Sequence, residues 1–231
     1  MEAHPERDEA RFFASTPEEE ELVRRFFMLW YGQPERTFQD THWLGTKVVK
    51  PPFDLWVYQE IIYETRPDVV VETGTYRGGS AHFMASVFDL LGHGRITTID
   101  IEDLERPQHP RITYLSGDSI APDMVERVKE SIDPDEKVMV ILDSAHNRNH
   151  VLEEMRAYGP LVKRGQYMVV EDTHINLHVP QPPPHRPYPR PGPLKAVWDY
   201  LAETDRFEID RAREKFFLTF NPSGYLRCIS D

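Results

Sequence analysis

Residues 68–81 read DVVVETGTYRGGSA, and this stretch decides the fold. The three valines at 69–71 are typical of a parallel strand that is buried on both faces. Glycines follow where the chain must turn tightly, and they leave backbone amides open to a ligand. A helix is expected over residues 81–91, with Ser80 as its cap. The stretch therefore predicts a nucleotide-type site at the carboxyl end of a first strand.

Length and composition fit one α/β domain with additions. The chain has 231 residues, a formal net charge of −12 and one cysteine, Cys228. A single cysteine excludes an internal disulfide and a cysteine-based zinc site, which favours a cytoplasmic location. The acidic balance argues against broad binding of nucleic acid. The sequence has no apolar run of membrane-spanning length and no secretory apolar region near Met1, so no membrane association is expected.

Residues 1–52 are expected to form a helical and lid-like extension ahead of a main domain at residues 53–231. Residues 18–31 predict an amphipathic helix with acids in its first turn. Its large apolar side chains at helical spacing are Leu22, Phe26, Leu29 and Trp30. Such a helix can pack on the domain, on a partner subunit or on a substrate, and packing on the domain is the simplest interpretation. We also expect a homo-oligomer of two or more copies.

Strands and helices alternate regularly along the main domain. A helix over residues 54–65, capped by Asp54, precedes the first strand. Further strands are predicted at 96–99, within RITYLSGDS, at 138–142 and within QYMVV, and further helices at 122–131, 149–158 and 194–204. This alternation predicts right-handed crossovers and a doubly wound parallel sheet with helices on both faces.

Two segments near the end of the chain interrupt the alternation. Residues 180–193 are proline-rich, which predicts a stiff loop that is either inert or a lid over the site. The stretches RFEIDR and KFFLTF are rich in bulky strand formers and predict a closing hairpin at the sheet edge. Residues 225–231 would then be a short tail.

Each predicted strand ends in an acid, and the carboxyl ends of parallel strands share one edge of the sheet. The acids are Glu72, Asp100, Asp118, Asp143, Glu171 and Asp172. Asp100 is positioned to accept both hydroxyls of a ribose. Neighbouring carboxylates repel one another unless a cation neutralises them, and hard oxygen ligands suit Mg²⁺ or another divalent ion. We therefore expect a metal at Asp143, Glu171 and Asp172, or else a salt-bridged or protonated acid among them.

Two histidines follow these acids in loops at the same edge. His146 comes three residues after Asp143, and His174 comes two residues after Asp172. An unperturbed histidine titrates near working pH, which suits a general base for a hydroxyl group. Of the two candidates, His174 is favoured.

Six motifs carry a family resemblance that extends over about residues 50–226. They are VVETGTYRGGSA, TTIDIE, LSGDS, ILDSAHNRNHVLEEMRAYGPLV, VVEDTHIN and EKFFLTFNPSGYL. With them the sequence resembles the cephalosporin hydroxylase family, a branch of the class I S-adenosylmethionine-dependent O-methyltransferases that is similar to the macrocin and mycinamicin sugar O-methyltransferases. The resemblance implies a Rossmann-like sheet of seven strands, mostly parallel, with an antiparallel last strand.

The resemblance also implies roles for the residues at the sheet edge. S-adenosylmethionine would lie over residues 72–79, with its ribose on Asp100 and its adenine near Asp118 and Ser119. The implied cofactor contacts are Glu72, Gly74, Thr75, Tyr76, Gly78, Ser80, Asp100, Asp118, Ser119 and Asp143. A divalent metal would be held by Asp143, Glu171 and Asp172, and His174 would act as base. The expected reaction is methyl transfer to a hydroxyl of a small natural product, with a sugar as the favoured acceptor.

Two alternatives remain open from the sequence. A catechol-type O-methyltransferase would use the same metal chemistry on an aromatic diol. Aromatic side chains that could line such a pocket are Phe12, Phe13, Trp30, Tyr31, Trp43 and Tyr188. The other alternative is a non-catalytic protein that binds the cofactor and serves another biosynthetic enzyme.

Overall fold

The computed structural model describes residues 13–14, 16–32, 37–176 and 191–231. Its helices are α1 (Pro17–Gly32), α2 (Pro52–Thr65), α3 (Gly79–Leu91), α4 (Pro122–Glu130), α5 (Arg148–Tyr158) and α6 (Pro193–Glu203). Its strands are β1 (His42–Trp43), β2 (Thr46–Lys47), β3 (Val69–Thr73), β4 (Arg95–Asp100), β5 (Ile112–Ser116), β6 (Val138–Leu142), β7 (Tyr167–Val170), β8 (Phe207–Ile209) and β9 (Tyr225–Cys228). Strands β1 and β2 pair with each other as a small hairpin.

The other seven strands form one sheet in the order β5-β4-β3-β6-β7-β9-β8. Strands β3 to β7 pair in parallel, whereas β9 runs antiparallel to both β7 and β8. Thr73 of β3 is level with Ile99 of β4 and with Leu142 of β6. Leu142 is in turn level with Val170 of β7. The carboxyl ends of the central strands therefore lie along one edge, and the predicted Rossmann-like sheet with an antiparallel last strand is confirmed.

Helices cover both faces of this sheet, as the alternation predicted. Along β3, Val69 and Val71 belong to a buried cluster that includes apolar side chains of α4, α5 and α6. Val70 points to the opposite face and belongs to a cluster with side chains of α2 and α3. Because successive side chains of a strand alternate between faces, the valine run supplies both cores at once.

Helix α1 packs on the domain through a third cluster of buried residues. Phe27 is its most buried large side chain and joins Phe38, Leu194 and Phe220. Three of the four apolar residues that define the predicted stripe, Leu22, Phe26 and Leu29, are exposed instead. The domain boundary at residue 52 and the oligomeric state stay predictions.

The predicted closing hairpin is wrong. Residues 215–220, KFFLTF, follow the 3₁₀ helix Arg211–Glu214 and form no strand. Phe217 has a positive φ of 64°, which interrupts an extended backbone. The partner of β8 is β9, in the segment predicted as a tail, with Phe207 opposite Cys228.

Two predicted helix caps are also wrong. Helix α3 begins at Gly79, and Gly78 is its N-cap with a φ of 75°. The Ser80 hydroxyl donates to the Glu72 carboxylate instead of capping the helix. Helix α2 begins at Pro52, and the buried Asp54 carboxylate accepts hydrogen bonds from residues 220 and 225.

Part of the proline-rich stretch, residues 180–190, lies outside the described residues. Phe12 and Tyr188 lie outside them as well. Among the helices that are described, none has both the length and the apolar character required to cross a bilayer.

Candidate active site

The glycine turn after β3 is held by close backbone packing and by a buried acid. Gly74 has a φ of 85°, and a Cβ atom there would lie 1.9 Å from the main-chain oxygen of Asp143. Glu72 is completely buried and accepts hydrogen bonds from Ser80 and, at 2.6 Å, from Thr98 Oγ1. The Thr75 hydroxyl lies 2.6 Å from the same Thr98 oxygen. Glu72, Ser80 and Thr75 therefore support the turn from inside the domain.

Asp100 lies beside the glycine turn, as predicted from its place at the end of β4. Its Oδ2 atom accepts a hydrogen bond from the Tyr76 amide at 2.6 Å, and its Oδ1 atom accepts one from the Glu102 amide at 2.8 Å. Arg106 Nη2 lies 3.7 Å from Asp100 Oδ2, and Arg106 Nε donates to the Tyr76 carbonyl at 2.9 Å. These contacts hold the carboxylate next to the turn that is expected to carry the cofactor.

The loop after β5 is joined to the loop after β6 by Glu154 of α5. Ser119 Oγ and Ser144 Oγ donate to Glu154 Oε1 at 2.6 Å and 2.7 Å. His150 Nε2 lies 3.4 Å from the same oxygen, and the interaction with Glu154 raises the pKa of His150. Asp118 accepts a hydrogen bond from the Ile120 amide at 3.1 Å. The predicted adenine residues 118 and 119 thus lie on a braced loop at the shared edge.

A buried lysine lies between two of the predicted metal ligands. Lys50 Nζ is 2.5 Å from Asp143 Oδ2 and 2.6 Å from Glu171 Oε1. The Tyr58 hydroxyl also donates to Glu171 Oε1. Glu171 is therefore a salt-bridged acid in this structure.

Burial and neighbouring charges shift the pKa values of these groups in opposite directions. Burial raises the pKa of Asp143 and of Glu171, and the Lys50 ammonium opposes both shifts. Burial alone would lower the pKa of Lys50, but Asp143 and Glu171 outweigh it, so the lysine pKa lies above its ordinary value. One ammonium shared by two carboxylates neutralises one of their two negative charges.

Asp143, His146 and Asp172 form a group that could hold a cation. One ligand atom from each lies within 4.8 Å of the others, and all three side chains are partly exposed. Asp143 and Asp172 belong to the predicted metal set, and His146 joins them in this group. The role of Glu171 as a third ligand stays a prediction. Carboxylate oxygens suit a hard divalent cation, and the imidazole suits softer ones.

The two histidines differ in exposure although both contact Asp172. His146 Nε2 lies 3.1 Å from Asp172 Oδ2, and the His146 side chain is 31% exposed. His174 Nδ1 lies 3.3 Å from Asp172 Oδ1 and 3.0 Å from the Phe220 carbonyl. The His174 side chain is 3% exposed, and burial lowers its pKa.

Aromatic rings pack around His174, which is buried although it contacts Asp172. Its ring stacks on Phe220 with centroids 4.4 Å apart, and Phe27 and Tyr31 of α1 lie 5.3 Å and 5.1 Å away. Its Nε2 atom has no hydrogen-bond partner among the described residues. This geometry favours His146 over His174 as the residue that meets a substrate.

The aromatic residues considered for a catechol pocket serve mainly in packing. Trp30 and Tyr31 contact Phe38 in the cluster under α1, with ring centroids 6.1 Å and 4.9 Å from it. Trp43 packs edge-on against Phe83 at 4.8 Å. These contacts give no support to an aromatic-diol pocket built from these residues.

Comparison with known protein families decides the class of the protein. A family described as Rhamnosyl O-methyltransferase/CmcI matches residues 35–229. The chain belongs to this family. The O-methyltransferase class predicted from the sequence motifs is thereby confirmed, and it agrees with the sheet topology.

Curated relatives are similar to this protein over most of their length. The rhamnosyl O-methyltransferase of Mycobacterium leprae (strain TN) is 35% identical over 212 residues, covering 89% of this chain and 90% of the relative. The rhamnosyl O-methyltransferase of Mycobacterium bovis (strain BCG / Pasteur 1173P2) is 35% identical over 213 residues, covering 89% and 84%.

Solved structures of CmcI share the fold of this protein. An apo structure of CmcI has a TM-score of 0.63 and 26% identity, covering 84% of this chain and 78% of the other. A CmcI structure with Mg and SAM has a TM-score of 0.62 and 23% identity, covering 83% and 78%.

Sequence reasoning missed three residues that organise the site. Lys50 and Tyr58 contact Glu171 from more than 110 positions earlier in the chain, and Glu154 lies on a helix face that the pattern does not mark. Charge balance was the one sequence feature that could have pointed to Lys50, because several predicted buried acids close together require a nearby cation. Lys50 is a lysine in an otherwise apolar stretch, VVKPP, and so was the candidate to supply it.

Proposed function

We propose that this protein transfers a methyl group from S-adenosylmethionine to a hydroxyl of a sugar-containing small molecule, with a divalent cation such as Mg²⁺ at the acidic edge. Family membership and the relatives named rhamnosyl O-methyltransferase support a rhamnosyl group as the first acceptor to test. The observation that carries the proposal is the contact between the glycine turn and the acidic edge. Gly74 packs against the backbone of Asp143, so a cofactor on the turn would lie beside the cation-binding residues.

The cofactor would be held by the turn and by Asp100. Each oxygen of the Asp100 carboxylate accepts one backbone hydrogen bond and has a further lone pair for a ribose hydroxyl. The amides of the glycine turn and the N-terminus of α3 favour the negatively charged carboxylate of the methionine part. The sulfonium group already activates its methyl for transfer, so positioning the acceptor is the main task of the protein.

Asp143 and Asp172 would hold the cation, because Mg²⁺ prefers oxygen ligands and keeps several sites for water and substrate. A bound divalent cation supplies Lewis-acid polarisation of the acceptor hydroxyl. With Nε2–H of His146 donating to Asp172, the Nδ1 atom of His146 keeps its lone pair. We assign His146 as the general base that takes the hydroxyl proton at this atom.

His174 would then have an indirect role, next to Asp172 and without contact with the substrate. Its Nδ1 atom donates to the Phe220 carbonyl, and this hydrogen bond holds the His174 ring against the Asp172 carboxylate. This assignment differs from the role that the family resemblance implied, and burial of the His174 ring is the reason for the difference.

The proposal is tested by incubating the purified protein with S-adenosylmethionine carrying an isotope-labelled methyl group and Mg²⁺. The acceptors are a panel of rhamnosyl glycosides, the same glycosides with deoxygenated hydroxyls, and catechol. Mass spectrometry should detect a labelled O-methyl sugar together with S-adenosylhomocysteine. Label on catechol alone would replace the proposal with the catechol-type reaction. If the protein binds S-adenosylmethionine but methylates nothing in the panel, a non-catalytic role would gain support.

A further inference from the structure

The motif LTFNPSGYL at residues 218–226 has no part in the proposed reaction, yet one of its side chains contacts the backbone of a proposed cation ligand. Asn221 is completely buried, and its Oδ1 atom accepts a hydrogen bond from the Asp172 amide at 3.1 Å. The two residues are 49 positions apart in the chain. This hydrogen bond therefore joins the segment before β9 to the turn after β7.

Asp172 has an unusual backbone conformation. Its φ is 57°, which lies in the left-handed region. This region is unfavourable for a residue with a Cβ atom, so contacts with the rest of the fold must hold the backbone there. With this backbone, the Asp172 carboxylate lies in the group with Asp143 and His146. A change of φ at residue 172 would turn the Cα–Cβ bond and move the carboxylate away from that group.

Asn221 is itself held by short hydrogen bonds within its own segment. Its amide donates to Thr219 Oγ1 at 2.9 Å, and its carbonyl accepts from the Gly224 amide at 2.9 Å. The amide of the preceding residue, Phe220, donates to the buried carboxylate of Asp54 at 2.9 Å. The position of the carboxamide oxygen is therefore set by contacts other than the one with the turn after β7.

We propose that Asn221 is a positioning residue for the cation site. Its carboxamide holds residue 172 in the left-handed conformation that directs the Asp172 carboxylate at the cation. The inference rests on the proposed function, because Asp172 serves as a ligand only if a cation binds at this edge of the sheet. Asn221 is not a ligand and acts through the backbone of Asp172. Loss of the hydrogen bond therefore weakens cation binding, whereas the glycine turn after β3 keeps its own contacts.

The test is calorimetric titration of the metal-free protein with MgCl₂, with MnCl₂ and, in the absence of metal, with S-adenosylmethionine. Asn221→Leu removes the acceptor and puts an apolar side chain of similar shape in its place. It should weaken the Kd for each cation by about tenfold or more and leave the Kd for S-adenosylmethionine within about threefold. Asn221→Asp keeps an oxygen acceptor at the same position, and its Kd for each cation should be weaker by no more than about threefold.

The matched control is Thr173→Val, which keeps the shape of the side chain. Thr173 Oγ1 donates to the Pro222 carbonyl at 2.7 Å, so the control also loses one buried hydrogen bond between the same two segments. This hydrogen bond does not involve Asp172. Thr173→Val should lower the melting temperature as Asn221→Leu does, but leave the Kd for each cation within about twofold.

A double-mutant cycle shows whether Asn221 acts through Asp172. Asp172→Asn should weaken the Kd for each cation by about tenfold or more. Adding Asn221→Leu to Asp172→Asn should weaken it by less than about threefold further, because the ligand that Asn221 positions is already lost. Fully additive losses would overturn the inference, since they would show that Asn221 affects the site independently of Asp172.

The remaining outcomes separate this inference from the proposed function. If the wild type binds a cation and folded Asn221→Leu binds it equally well, the inference alone is overturned. Asn221→Ser, whose hydroxyl is too short to reach the Asp172 amide, replaces Asn221→Leu if that variant does not fold. If neither variant folds while Thr173→Val does, Asn221 serves the fold as a whole and the inference is overturned. A wild type that binds neither cation overturns the proposed cation site and this inference together.

Discussion

The main-chain oxygen of Asp143 lies 1.9 Å from the position of a Cβ atom on Gly74, so only glycine fits between the ends of β3 and β6. Gly74→Ala should separate these strand ends, which carry the proposed cofactor turn and the first proposed cation ligand. We expect a loss of several kcal/mol in the free energy of unfolding, since backbone strain and overpacking act together. We also expect S-adenosylmethionine binding to fall below detection in calorimetry.

Gly45 provides the matched control for this substitution. Gly45 has the same φ of 85°, but nothing lies within 4 Å of its Cβ position. Gly45→Ala should therefore cost only the strain of the left-handed backbone, about 1–2 kcal/mol in urea unfolding, and leave cofactor affinity unchanged. Equal losses of unfolding free energy in the two variants would mean that the left-handed backbone alone, and not the contact with Asp143, requires glycine at position 74.

The assignment of His146 as base predicts a selective loss of turnover. His146→Ala should lower kcat by about 10²–10⁴-fold, while the Kd for S-adenosylmethionine changes little. The His146 side chain is partly exposed, so the melting temperature should stay close to that of the wild type.

His174→Ala should behave differently because it empties a site packed against Phe220. We expect a loss of about 2–4 kcal/mol in unfolding free energy, comparable to other large buried deletions. Turnover measured at low temperature, where the variant stays folded, should fall less than in His146→Ala. If folded His174→Ala were the less active of the two, His174 would be the base, as the resemblance implied.

Removal of the metal should abolish methyl transfer while leaving cofactor binding largely intact. The reason is that the proposed cation ligands, Asp143 and Asp172, lie beside the glycine turn and not within it. Treatment with EDTA followed by dialysis should stop product formation, and added Mg²⁺ should restore it. Full activity of the chelated protein, with metal content checked by mass spectrometry, would contradict the assignment of both acids.

Asp54 predicts a pH dependence of stability that is separate from catalysis. Burial raises the pKa of Asp54 to about 7 from 3.8, against the hydrogen bonds it accepts from residues 219, 220 and 225. The unfolded chain therefore releases this proton at lower pH than the folded protein does. The contribution of Asp54 to stability falls as the pH rises from about 4 to about 7, and it is constant above that range.

Asp54→Asn removes this titration and keeps a side chain of the same shape. The difference in unfolding free energy between wild type and variant should shift in favour of the variant by at most about 4 kcal/mol between pH 4 and 7. Urea unfolding at several pH values measures it, and other titrating groups cancel in the difference. A difference that does not vary with pH would show that Asp54 has the same pKa in the folded and the unfolded protein.

The sequence predicted the features that follow from local residue patterns and from the geometry of a parallel sheet. Valine-rich runs that end in acids located the central strands, and parallel pairing brings Asp100, Asp143 and Asp172 to one edge. The cysteine count and the charge balance limited the classes of function. The family motifs then gave the methyltransferase class, which composition alone could not.

The rest depends on contacts between distant segments, which carry no periodic signal. The three bulky residues at 216–218 read as a strand, yet the hydrogen bonds of Phe220 go to Asp54 and His174 instead of a ladder. Lys50 is one lysine among many until the fold brings it to Glu171. His174 follows the acids in sequence as a base should, and only packing under α1 shows that its ring is covered.

The late position of β9 has a consequence for biosynthesis. β9 is the last strand in the sequence, yet it lies between β7 and β8. While the ribosome is still making residues 220–228, the hydrogen-bonding edge of β7 is open to pairing with other nascent chains. The same residues supply the Phe220 carbonyl for His174 and the Asn221 carboxamide for the Asp172 amide. Asp172 and His174 therefore make these contacts only after this segment leaves the exit tunnel, and a nascent chain stalled before it would lack them.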